Sequence, residues 1–169
     1  IHSLCRHSTR PPRRLRLSAK PGDLLYATGF FGNSFTSEWH LDFIPRLRES
    51  EFLAGAFTNT MMDVSDGLLK DSCRMAGASG LGIRFDVSKI RLRGGTPSVG
   101  NALSDGEDYE LIFAVNPSLA DSLEASWPYQ SDVPLSRIGF FVESEPGTVL
   151  NFDGSALSLC RKGFDHFST

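Results

Sequence analysis

No stretch of this 169-residue sequence approaches the ~20 consecutive apolar residues that a helix needs to cross a bilayer, so a membrane-spanning helix is not expected. Cysteine is scarce. Cys5, Cys73 and Cys160 are odd in number and widely spaced, with no CxxC, which excludes a disulfide framework and a zinc motif. Cys73 falls within a helical pattern and reads as a small buried thiol, and a reducing cytoplasm is the expected compartment. Net charge is also nearly lacking, at -3, too little to name a partner. Internal repeats and low-complexity tracts are absent.

The charge that exists is unevenly spread. Arg6, Arg10, Arg13, Arg14, Arg16 and Lys20 all precede the first acidic residue, Asp23. Pro11 and Pro12 interrupt this run, aromatics are nearly missing from it, and no nucleic-acid module follows. Residues 1–17 are therefore read as a solvated linker or lead-in rather than a nucleic-acid contact, and residues 18–169 as one domain, a size sufficient for a real core. The Arg and Ser content also fits a transit peptide, although the run is short. The chain starts at Ile1 rather than Met, so a segment is expected to have been removed ahead of it.

Periodicity supplies a coarse architecture. Residues 24–29 read as a short buried strand after a Pro-Gly-Asp turn. Residues 37–53 read as helical pieces bent at Pro45, with Trp39, Phe43 and Phe52 assigned to the core. A strand over 61–64 runs into a helix ending near Ala78, whose Leu68, Leu69, Ser72, Met75 and Ala76 form one stripe. Ile83, Phe85 and Val87 alternate with polar residues, as in a half-buried strand. Residues 91–101 read as a polar, Gly-rich loop. Tyr109, Leu111, Phe113 and Val115 share one strand face, Asn116 is an N-cap for a helix over 117–127, and strands follow over 136–142 and 149–152. Strands and helices interleave without strict alternation, which predicts an α/β or α+β sandwich with a mixed sheet.

Three short stretches carry the chemistry. In MMDVSDGLLKD, residues 61–71, Asp63, Asp66 and Asp71 surround a Ser and a Gly where a strand meets a helix. One reading is a helix start, with Ser65 as cap and Asp66 at the positive end of the dipole. That reading does little for Asp63, an acid ending an apolar run. The other reading is a site for magnesium and phosphate. Mg²⁺ takes hard oxygen ligands, typically one or two carboxylates plus substrate phosphates, and free N–H groups at a helix start suit the phosphates. The second stretch is DGEDYEL, residues 105–111, and the third is GFDHF, residues 163–167. Alone, the former passes for a charged turn and His166 for a structural histidine.

Together, and in this order, they resemble the thiamine-monophosphate kinase family, in its C-terminal half, within the superfamily of aminoimidazole ribonucleotide synthetase. Weaker echoes are residues 18–29 and the Arg137-Ile138-Gly139 run. The resemblance implies the C-terminal domain of that fold and ATP- and Mg²⁺-dependent phosphorylation of thiamine monophosphate to the diphosphate. It implies Asp63 and Asp66 as magnesium ligands, Ser65 as an ATP phosphate contact, Glu107 as a contact to the cationic substrate, and Phe164 as an aromatic wall against it. No catalytic acid or base is implied. Two departures stand out. Asp105 replaces the first Gly of a G-G-E pair and is expected to restrict the backbone beside Glu107. The family's N-terminal domain, with further metal ligands, much of the ATP site and the main homodimer contact, has no counterpart in the 169 residues.

Three functions remain open on these grounds: one domain of a two-domain kinase, inactive alone; a non-catalytic module that keeps a thiamine-phosphate or nucleotide pocket; and a superfamily relative with another phosphate acceptor. The 107–111 and 163–167 stretches speak against the third. No nucleic-acid or membrane partner is expected.

Overall fold

The computed structural model describes residues 18–155 and residue 157. The basic lead-in, Cys5, Cys160 and the GFDHF stretch with Phe164 and His166 lie outside the described residues. Within them, six strands form one sheet: β1 (Leu24–Thr28), β2 (Met61–Asp63), β3 (Gly82–Phe85), β4 (Leu111–Val115), β5 (Leu135–Val142) and β6 (Val149–Asn151). Their order is β2-β4-β1-β5-β3-β6. Every neighbouring pair is antiparallel except β3 with β6, so the sheet is mixed, as expected.

Alternation along the central strands separates two cores. Leu25 and Ala27 of β1, with Ile112 and Ala114 of β4, face one cluster; α3 (Leu68–Ala78) and α4 (Val99–Ser104) cover it through Leu68, Met75, Ala102 and Leu103. Tyr26, Leu111, Phe113 and Val115 face the other, closed by Leu53 of α2 (Leu47–Ala56) and Leu123 of α5 (Ala120–Ser126). Tyr26 stacks on Phe113 across the strands at 5.8 Å. All five residues of β4 are buried, because strands flank it on both edges and helices cover both faces. α1 (Trp39–Asp42) is a single turn ahead of Pro45, which separates it from α2.

Several expectations are corrected. Trp39 and Phe43 are half-buried and contact residues 108 and 109, as described below, and only Phe52 of the three packs at the edge of a core. Val87 lies in a 3-10 turn after β3. The loop expected over 91–101 contains the start of α4, capped by the Ser98 side chain accepting from the Asn101 amide; Gly100 hides so short a helix from a periodicity reading. Asn116 does cap, accepting from Ser118, but opens a 3-10 turn ahead of α5. Cys73 is disulfide-bonded and not a free thiol.

Candidate functional site: the junction of two acidic loops

β2 and β4 pair as far as Asp63 opposite Leu111. Beyond that point the chains stay together without regular strand geometry. The amide of Val64 donates to the carbonyl of Glu110 at 2.8 Å, that of Tyr109 to Val64 at 2.9 Å, and that of Glu107 to Ser65 at 2.8 Å. Backbone hydrogen bonds therefore join the loop of Asp63, Ser65 and Asp66 to the turn of residues 105–110, more than forty residues later. Gly106 has φ of 72°, and a Cβ there would stand 2.9 Å from the Ser65 carbonyl; the contact requires glycine at that position. Asp105 leads into the turn without backbone strain. Its φ of -63° and ψ of -36° are ordinary, and its carboxylate accepts from the Asn33 amide at 3.0 Å.

The three aspartates of the first loop divide in their roles. Asp71 is fully buried. Its Oδ2 accepts the amides of Ser65 and Asp66, each at 2.9 Å, and its Oδ1 accepts from Arg74 at 2.8 Å. Asp71 thus ties the loop ahead of the helix back to the helix's first turn, and two N–H groups expected to be free are bonded within the chain. The helix begins later than expected, at Leu68, with Gly67 before it and no side-chain cap. Asp63 is exposed at the end of β2, and its carboxylate makes no hydrogen bond or ion pair with a described residue. Asp66 is half-exposed and paired with Arg74 and Lys70; the Arg74 hydrogen bond first, then its charge and that of Lys70, holds its carboxyl below the usual carboxylate range despite an opposing desolvation effect. The Ser65 hydroxyl also has no described partner.

The second turn is fastened from beneath. Glu110 is 1 % exposed. Arg46 forks onto it, Nε to Oε2 at 2.8 Å and Nη2 to Oε1 at 2.7 Å, and Thr28 donates its hydroxyl at 2.8 Å. These hydrogen bonds hold the Arg46 guanidinium still more firmly protonated. Gly29 makes room for the pair, since a Cβ there would fall onto the Glu110 carboxylate. Asp108 is fully buried as well. Its Oδ1 accepts from the Gly32 amide at 2.9 Å, the Ser34 hydroxyl at 2.6 Å and Arg93 at 3.3 Å, while Oδ2 has no partner. Burial raises its carboxyl above the ordinary range, against the lowering effect of those three donors.

Of the residues singled out by sequence, the fold brings Asp63, Ser65, Asp66 and Glu107 to this one junction. Phe164 lies outside the described residues. Sequence reasoning passed over Arg46, Arg93, Asp108 and Glu110. One signal was available: Glu110 falls in register with Ile112 and Ala114 on an apolar face, where a carboxylate needs a partner.

No family model matches the chain. Among curated proteins it is 30% identical over 181 residues to thiamine-monophosphate kinase of Escherichia coli K12, covering 91% of this chain and 55% of that protein. The Salmonella typhimurium enzyme of the same name is 32% identical over 183 residues, with the same coverage. The chain thus spans about half the length of these relatives. Among solved structures, thiamine-monophosphate kinase from Stenotrophomonas maltophilia K279a superposes with a TM-score of 0.68 at 25% identity, over 86% of this chain and 54% of that one. AaThiL complexed with AMPPCP and TMP gives 0.61 at 25% identity, over 90% and 53%. The hydrogenase maturation protein HypE from E. coli shares the fold at 20% identity. The chain is a homologue of the thiamine-monophosphate kinases along nine-tenths of its own length, and it has the aminoimidazole ribonucleotide synthetase-like fold.

Proposed function

We propose that this chain is the C-terminal domain of a thiamine-monophosphate kinase and supplies one side of the site that transfers the γ-phosphoryl group of ATP to thiamine monophosphate. The observation that carries the reading is the hydrogen bond from the Glu107 amide to the Ser65 carbonyl. It joins the backbone of the residue assigned to the cationic substrate to the backbone of the loop assigned to metal and phosphates. The TMP and ATP analogue bound by AaThiL support it.

Asp63 and Asp66 would hold Mg²⁺. Both offer hard carboxylate oxygens; the Asp63 carboxylate makes no described contact, whereas Asp66 would exchange its pairs with Arg74 and Lys70 for the ion, and the set fits an ion that takes one or two carboxylates and completes its shell with phosphates and water. When bound, the ion would neutralise phosphate charge. The Ser65 hydroxyl would donate to an ATP phosphate oxygen. Glu107 would pair with the positive heterocycle, and Phe164 would offer it a π-face. No described side chain is assigned as a general base, and the chemistry asks for none. The acceptor is a phosphate monoester with a second pKa of ~6, mostly dianionic at neutral pH. The work left to the protein is alignment and charge neutralisation.

Because the chain aligns with about half of each relative, we propose that it binds without turning over, that an N-terminal domain supplies the remaining ligands, and that the whole enzyme is a cytoplasmic homodimer. Among the described residues no helix is long and apolar enough to cross a membrane. The alternative is a non-catalytic module that keeps the thiamine-phosphate or nucleotide pocket. Adding a separately expressed N-terminal domain of a relative and assaying thiamine diphosphate decides between them. Turnover above that of the added domain alone supports the kinase, and binding without any turnover supports the module.

A further inference from the structure

The segment over residues 39–46 touches three successive residues of the acidic turn, each in a different way. The Trp39 indole N–H donates to the Asp108 carbonyl at 2.7 Å. Phe43 stacks on Tyr109 with ring centroids 4.1 Å apart and planes 22° apart. Arg46 forks onto Glu110. Arg93 lies over the Trp39 ring at 4.2 Å while its Nη2 reaches Asp108, which ties the near end of the segment to the same turn. Glu107 alone among residues 107–110 receives no such contact, and its carboxylate has no described partner.

The turn needs this support. Glu107 and Tyr109 both have φ of 52°, a left-handed conformation that non-glycine residues keep only where their surroundings hold them. Two of the holding bonds come from Ser65 and Val64. The third anchor is the Arg46–Glu110 pair, whose side chains are 10% and 1% exposed. An exposed ion pair of this kind would contribute little. A buried fork is different, because its planar geometry fixes direction and removal of one half leaves a charge with no water around it.

We propose that residues 39–46 form a positioning clamp on the acidic turn, fastened by Arg46 and Glu110, which sets how Glu107 meets a phosphorylated cationic heterocycle. Neither Arg46 nor Glu110 touches that ligand; both act through the backbone of the turn. The ligand half of the inference rests on the thiamine-phosphate reading of Glu107, and the clamp itself does not.

The test uses this chain with Arg46→Lys, which keeps the charge and loses the fork, and with the double change Arg46→Met, Glu110→Met, which leaves no charge buried alone. Amide hydrogen exchange and calorimetric binding of thiamine monophosphate and of Mg·AMPPCP are measured for each. The clamp predicts that the Glu107 and Tyr109 amides lose protection at least tenfold relative to the Tyr26 and Ala27 amides. It also predicts at least tenfold weaker thiamine monophosphate binding, with Mg·AMPPCP affinity within twofold. Turn amides as protected as in the wild type would overturn it, and so would lost protection with unchanged thiamine monophosphate affinity. Loss of the fold in both variants would make the pair a structural one and also overturn it. If the wild-type chain binds no thiamine monophosphate while the variants lose turn protection, the thiamine reading fails and the clamp stands.

Discussion

The Asp71 carboxylate, fully buried, accepts the Ser65 amide at 2.9 Å and shapes the loop that displays Asp63 and Asp66 to solvent. Three aspartates within nine residues therefore have different functions, and substitution separates them. Asp71→Ala strips two backbone donors of their acceptor and Arg74 of one of its two carboxylate partners, and a buried donor left unpaired costs ~1–3 kcal/mol. We expect a loss of about 2–3 kcal/mol in denaturant unfolding. A loss no larger than that of Asp63→Asn would contradict the assignment.

Asp63→Asn and Asp66→Asn should act in the opposite sense. Both residues are solvent-exposed, and exposed ion pairs such as Asp66 with Arg74 contribute only ~0–1 kcal/mol. Stability in metal-free buffer should hold to within ~0.5 kcal/mol, while Mg²⁺-dependent nucleotide binding falls at least tenfold. A large drop in Tm with Mg·AMPPCP binding intact would return the loop to a plain helix start.

Asp108 gives a pH signature. Its folded pKa is raised by burial, so the folded state binds this proton more tightly than the unfolded chain, whose carboxyl titrates near ~3.9. The stability contributed by the protonated form is present below that value and is lost as pH rises through the folded pKa. Asp108→Asn does not titrate, so its stability should improve relative to wild type as pH rises from about 4 to about 7. Melting both proteins across that range checks the sign, and a difference flat in pH would contradict it.

Much of the architecture was legible in the chain. Leu111, Phe113 and Val115 do share one face of β4, although the strand proves buried on both faces rather than alternating; the Leu68 to Ala76 stripe placed α3, because a one-sided buried face leaves a period behind. The candidate site was only half legible. Asp63, Ser65 and Glu107 belong to compact motifs, whereas Arg46 and Glu110 are 64 positions apart and neither has a local pattern that announces its partner. Trp39 misled for a related reason: a large aromatic reads as core, yet its indole N–H reaches the Asp108 carbonyl and its ring carries Arg93. α4 was missed because six residues with a Gly among them are too few to show a period.

Glu107→Gln and Phe164→Ala test the substrate side. Each should weaken thiamine monophosphate binding by about 1–2 kcal/mol, the scale of a desolvated cation–π or charge contact, and leave Mg·AMPPCP affinity unchanged. Phe164→Ala lowering stability with affinity intact would make that ring a packing residue.

The account turns on whether the junction of residues 63–66 with residues 105–110 is one site for both ligands. Titrating thiamine monophosphate into this chain with and without Mg·AMPPCP, following heat, tests that most directly. Saturable binding of thiamine monophosphate is expected, weakened about five- to thirtyfold by Glu107→Gln, with an affinity that changes when Mg·AMPPCP is present. No heat beyond dilution with either ligand, or binding that ignores Glu107→Gln, would contradict it.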